Sequence, residues 1–103
     1  MELGQLDLAE QALATALRQS PLAKGQSYRR RGAVLTDLAI IGAKRRDIEQ
    51  TLAHAHEAVD LARRSGSGYV ARRLQSLRIE LVPVASDARI AELDSEIVAL
   101  TMS

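Results

Sequence analysis

Apolar residues recur along this chain at helical spacing nearly from end to end. Leu6, Ala9, Leu13, Ala16 and Leu17 form a first stripe, closed by Ser20-Pro21, because proline disfavours helix in the residue before it. Leu35, Leu38, Ala39 and Gly42 form a second, flanked by Val34 and Ile41. Ile48, Leu52, Ala55, Val59 and Ala62 form a third, and Asp47 with Gln50 has the pattern of a capping box at its start. The run Ser65-Gly66-Ser67-Gly68 breaks the pattern. Val70, Leu74, Leu77 and Leu81 resume it, Pro83 and Ser86 punctuate again, and Ile90, Leu93, Ile97 and Leu100 complete a fifth stripe. The pattern predicts five helices near residues 3–19, 23–45, 47–65, 68–82 and 87–101, with no competing alternation of the β type.

Composition narrows the chemistry. The 103 residues are expected to form one domain, spanning residues 1–103. Tyr28 and Tyr69 are the only aromatic residues, so Ala, Leu, Ile and Val must build the core, which suits closely packed helices. There is no cysteine, hence no disulfide or thiolate chemistry. No apolar run of transmembrane length and no signal-peptide pattern is seen, and a cytoplasmic location is the default expectation.

The net charge of +1 conceals a segregation. Seven basic residues and one acid lie between Lys24 and Arg46, and five basic residues and no acid between Arg63 and Arg78. Residues 1–20 carry a net −2, residues 47–60 carry −4, and residues 80–103 carry −4. Helices two and four are therefore basic, and one, three and five acidic.

Gly4, Ala9, Ala16, Leu17 and Pro21 fall in the order and spacing of the second helix of a tetratricopeptide repeat. Leu38-Ala39, Asp47 and Ala58-Val59 match a following helix pair, whereas Thr51 and Gly42 stand where that family usually has Ala and Tyr. The chain thus resembles a tetratricopeptide-repeat domain that opens on the second helix of a repeat. The runs Tyr28-Arg29-Arg30-Arg31, Asp37-Leu38-Ala39, Asp47-Ile48-Glu49-Gln50 and Gly68-Tyr69-Val70-Ala71-Arg72-Arg73-Leu74 are similar to the C-terminal repeat region of actinobacterial helix-turn-helix transcriptional regulators, without their DNA-binding part. The resemblance implies an all-α fold of antiparallel helix pairs in a short right-handed superhelix, a concave face lined by helices two and four, and protein binding in place of catalysis. A plain five-helix bundle remains the alternative.

On that reading the concave face is basic, and Arg29, Arg30, Thr36, Ile40, Lys44, Arg72 and Arg73 are the expected contacts to an acidic protein or peptide. The competing reading is that basic and acidic helices neutralise one another through surface pairs. Some members of the family grip a C-terminal carboxylate with a Lys and an Asn. The corresponding positions here are Thr36 and Ile40, so that clamp is absent. The arginine runs lack the interleaved aromatics and the recognition motif of a nucleic-acid binder, so nucleic acid and membrane are not the expected partners. His54 and His56, two apart on a helix, point to different sides and do not make a zinc pair. The acids of helix five, Asp87, Glu92, Asp94 and Glu96, are expected on a solvated face. No nucleophile, base and orienter converge, and neither enzyme nor cofactor is expected. The first helix, lacking its own partner helix, is expected to leave Leu3, Leu6 and Leu13 open. Two-fold self-association would cover them, and a self-associating structural domain is the second function class.

Overall fold

The computed structural model describes residues 3–19, 27–66 and 68–101. Of the residues named above, Ser20, Pro21, Lys24 and Ser67 lie outside that set, as do the side chains of Leu3 and Leu17. The described residues form five α-helices: α1 (Leu3–Gln19), α2 (Ser27–Lys44), α3 (Ile48–Ser65), α4 (Gly68–Leu81) and α5 (Ala88–Leu100), with a 3₁₀ turn at Val82–Val84. Residues 23–26, expected to open the second helix, lie outside the described set.

Local chemistry accounts for the boundaries between α2 and α3, at the end of α3 and before α5. The chain passes from α2 to α3 in three residues. Arg46 takes a left-handed conformation (φ 57°), its N–H donates to Ala43 O, and Asp47 N–H donates to Gly42 O at 2.8 Å. That is a Schellman cap with arginine where glycine is usual. Asp47 then caps α3 by accepting from Gln50 N–H. Only half of the expected box forms, because the Gln50 side chain donates to Glu10 of α1 at 2.8 Å. Gly66 (φ 65°) ends α3 by donating to Ala62 O. Pro83 sits in the 3₁₀ turn, and Asp87 caps α5 by accepting from Arg89 N–H. Asp87 is therefore a helix cap and not part of a solvated helix face.

Ion pairs and close contacts give the helix register. Arg29 lies over Tyr69, Asp37 pairs with Arg73, and Lys44 pairs with Glu80, so α2 and α4 run parallel. Glu49 pairs with Arg89 and Glu96 with His56, so α3 and α5 also run parallel. Arg31–Glu57 at one end and Gly42 against Thr51 at the other make α2 and α3 antiparallel. Gln75 reaching Ile97 O, and Arg78 holding Asp94, do the same for α4 and α5. Two antiparallel pairs are thus stacked side by side, and with α1 the molecule measures 34 × 32 × 18 Å.

The main core lies between these pairs. Leu35 and Ala39 of α2, Ala55 and Val59 of α3, Val70, Leu74 and Leu77 of α4, and Ile90, Leu93 and Ile97 of α5 are all buried there. Two glycines set the closest approaches. A Cβ at Gly32 would lie 2.6 Å from a Val70 methyl, and one at Gly42 would lie 2.8 Å from the Thr51 backbone N. The two positions that depart from the tetratricopeptide pattern, Gly42 and Thr51, are therefore fitted to each other. Thr51 is fully buried, with its hydroxyl donating to Asp47 O.

Helix α1 is attached differently. Leu6 is buried (4% exposed), and Val34, Leu38 and Ile41 of α2 are buried outside the main cluster, on the same helical face as Arg45. Arg45 bonds Asp7 and, at 2.6 Å, Glu10 of α1.

Candidate functional site

The exposed side of the parallel α2/α4 pair collects most of the expected contact residues. Arg29, Arg30, Lys44 and Arg72 are exposed, while Ile40 and Arg73 are half-buried. Thr36 is the exception. It is 1% exposed, beneath the surface, with its hydroxyl donating to Gly32 O at 2.8 Å. It lies one turn beyond Gly32, whose bare Cα lets α4 approach. Thr36 therefore offers nothing to a partner, and its contribution is a satisfied buried hydroxyl.

The face is divided by charge. In its C-terminal half the cations are matched by acids. Arg73 donates to Asp37 at 2.8 Å, and Lys44 lies 3.2 Å from Glu80. Burial raises the Asp37 carboxyl above its ordinary range, and the attraction of Arg73 offsets this only in part. The Arg73 Nε is buried with no acceptor. In the N-terminal half no acid intervenes among the described residues. Arg29 rests over the Tyr69 ring, 5.3 Å from its centroid, a cation–π contact that leaves its charge unneutralised. Arg30 and Arg72 form no ion pair among the described residues. Neither α2 nor α4 has an acid in its first turn.

Neutralisation between helices prevails elsewhere. Arg31 pairs with Glu57, Arg78 with Asp94, Arg89 with Glu49 and Asp87, and Glu96 receives both His56 and Arg63. Asp94 and Glu96 of α5 are thus engaged across helix interfaces and not merely solvated. The side-chain and backbone donors of Arg89 hold the Asp87 carboxyl below its usual range. The seven residues read as contacts did not include Tyr69 or Arg45, which organise the two ends of α2. A signal for each is present in the sequence: Tyr28 adjoins Arg29 and Tyr69 lies one helical turn before Arg72, and an acidic first helix precedes a basic end to the second.

His54 is half-buried on α3, and burial lowers its pKa against the opposing pull of Glu57 and Glu10. No group of three or more His, Cys, Asp or Glu residues able to hold a metal ion occurs among the described residues. A shallow pocket of about 370 Å³ lies where α3 ends and α4 begins, bounded by Ala62, Arg63, Gly68, Ala71 and Leu100, with Arg63 its one charged group. Among the described residues, no helix is long and apolar enough to cross a membrane. No protein-family description, curated protein or solved structure matches this chain.

Proposed function

We propose that this chain is a non-enzymatic protein–protein interaction scaffold of the tetratricopeptide type, the regulatory region of a bacterial transcriptional regulator, and that it binds its partner on the exposed α2/α4 face. The observation that carries the reading is the parallel stacking of α2 on α4, which aligns their outer side chains into one surface with more cations than acids. The antiparallel pairing of α2 with α3 and of α4 with α5 is what such a repeat requires. Paired residues on stacked helices are 36 to 40 positions apart, against about 34 for the family, so the repeat here is lengthened.

The chain contains no cysteine, so single cysteines can be placed at will. A photo-crosslinker on Ser76→Cys, exposed on α4, is expected to capture peptides from an arrayed library, while the same group on Ser95→Cys of α5 captures none. Equal capture at both positions removes the reading.

Self-association is a second reading with its own observation. Leu8 of α1 is 68% exposed, whereas Leu6 is buried and Leu13 half-buried. Among the described side chains of α1, Leu8 is thus the large apolar residue left open, in place of the expected Leu6 and Leu13; the expected Leu3 side chain lies outside the described set. Light scattering that gives a monomer at high micromolar concentration disposes of it.

A further inference from the structure

We infer that the α2/α4 face reads an acidic peptide of defined layout. Two neighbouring carboxylates meet Arg29, Arg30 and Arg72, and an apolar side chain further along the peptide rests on Ile40. The inference depends on the protein-binding reading of this face and adds the chemistry of the partner.

Three features carry it. The first is that the positive charge is open at one end only. Arg29, Arg30 and Arg72 are exposed without an acid partner among the described residues, while Arg73 and Lys44, further along, are matched by Asp37 and Glu80. From Gln19 to Thr36, and again from Ser65 to Ile79, the sequence contains no acid at all. An anion set down at that end gains attraction from guanidiniums that need not first release an internal partner. Arg29 is held over Tyr69 before any ligand arrives, so less side-chain freedom is lost on docking.

The second feature is what lies along the path away from that end. Ile40 is half-buried on α2 and packs on the core. It offers apolar surface beside the Asp37 and Glu80 carboxylates. Ten residues of helix separate Arg30 from Ile40, about 15 Å at the rise of an α-helix. An extended peptide covers that distance in about four to five residues. The fitting ligand therefore carries its acids at one end and an apolar residue about five positions on.

The third feature excludes a uniform polyanion. A nucleic acid presents a phosphate at every unit. A strand lying along this face would bring its next phosphates onto the Arg73–Asp37 and Lys44–Glu80 pairs, where each must compete with a carboxylate for its cation. A peptide that is acidic at one end only avoids that conflict.

The test uses the full chain and a fluorescein-labelled peptide, Asp-Glu-Ser-Gly-Ser-Leu-Ser, with binding read by anisotropy. Affinity is expected to fall at least about tenfold for Arg30→Glu/Arg72→Glu, since two attractive contacts become repulsive. It is expected to change less than about twofold for Arg89→Glu, an exposed position on α5 outside this face. Ile40→Ser is expected to weaken this peptide and to leave a version with Ser in place of Leu unaffected. Circular dichroism melts keep folding defects apart from binding defects. Unchanged affinity in Arg30→Glu/Arg72→Glu overturns the inference, as does tighter binding of a single-stranded oligonucleotide of equal charge. Library peptides that crosslink at Ser76→Cys but bind without acids would leave the scaffold reading standing and remove this one. No capture of any peptide removes both.

Discussion

Helix α2 is gripped on two sides in opposite ways. Toward α3 and α4 it meets a continuous apolar core, with bare glycine backbone at Gly32 and Gly42 seated against Val70 and Thr51. Toward α1 it meets the buried Leu6 and a polar clasp in which Arg45 holds Asp7 and Glu10 while Gln50 holds Glu10. The first grip is a matter of shape and water exclusion, insensitive to salt and costly to alter. The second rests heavily on charge at the protein surface, which water and salt screen. The lesson is that α2–α5 is the cooperative unit and α1 the element that opens first.

The core side breaks hardest. Leu74→Ala removes a fully buried side chain and is expected to cost about 2–5 kcal/mol, lowering the unfolding transition of α2–α5 together in a denaturant titration. Gly42→Val pushes a branched side chain against the Thr51 backbone and is expected to cost about 1–3 kcal/mol. If Gly42→Val unfolds at the wild-type midpoint, α2 and α3 are not in the close contact described above.

The α1 side should respond locally. Arg45→Ala is expected to speed amide hydrogen exchange throughout α1 while leaving protection in α3 and α4 unchanged. Raising salt from about 0.05 to about 0.5 M should move wild-type α1 in the same direction, because the Debye length shrinks. Uniform loss of protection across all helices would show that α1 belongs to the cooperative unit.

A pH titration sharpens the contrast. The depressed pKa of His54 means that the unfolded chain binds its proton more readily than the folded one. Stability is therefore expected to be fully present above the ordinary histidine range near 6.5 and to fall as pH drops below it. His54→Gln should flatten that slope. Asp37 acts in reverse: its raised pKa makes its charge a cost at neutral pH, which is relieved as pH falls through its folded value. Asp37→Asn is expected to remove that acid-side gain, read as the pH dependence of the unfolding midpoint.

The smallest change is at the α2–α3 turn. Arg46→Gly relieves a left-handed arginine and is expected to add up to about 1 kcal/mol. No gain in melting temperature would mean that the arginine side chain repays the strain.

Much of the architecture was legible along the chain. The breaks at Gly66 and Pro83 and the cap at Asp47 are local events, decided by φ preference and by side-chain acceptors within a few residues. The exposure of the residues read as contacts was legible only in part. Arg29, Arg30 and Arg72 are exposed, but Thr36 sits under the surface, because its place is set by how closely α4 approaches at Gly32. Asp87 passed for a solvated acid because a cap and an exposed carboxylate look alike until the helix start is fixed.

The sequence by itself determined that this chain would be helical, roughly where each helix begins and ends, and that α2 and α4 would be the basic ones, since periodicity, caps and charge are written within each segment. Only the tertiary structure decided which of those charges remain free. Asp37 and Glu80 come to rest beside Arg73 and Lys44 through the parallel register of two helices distant in sequence, and Arg29 comes to rest over Tyr69 for the same reason. Register depends on how whole side chains interlock across the interface, and the spacing of residues within either helix does not encode it.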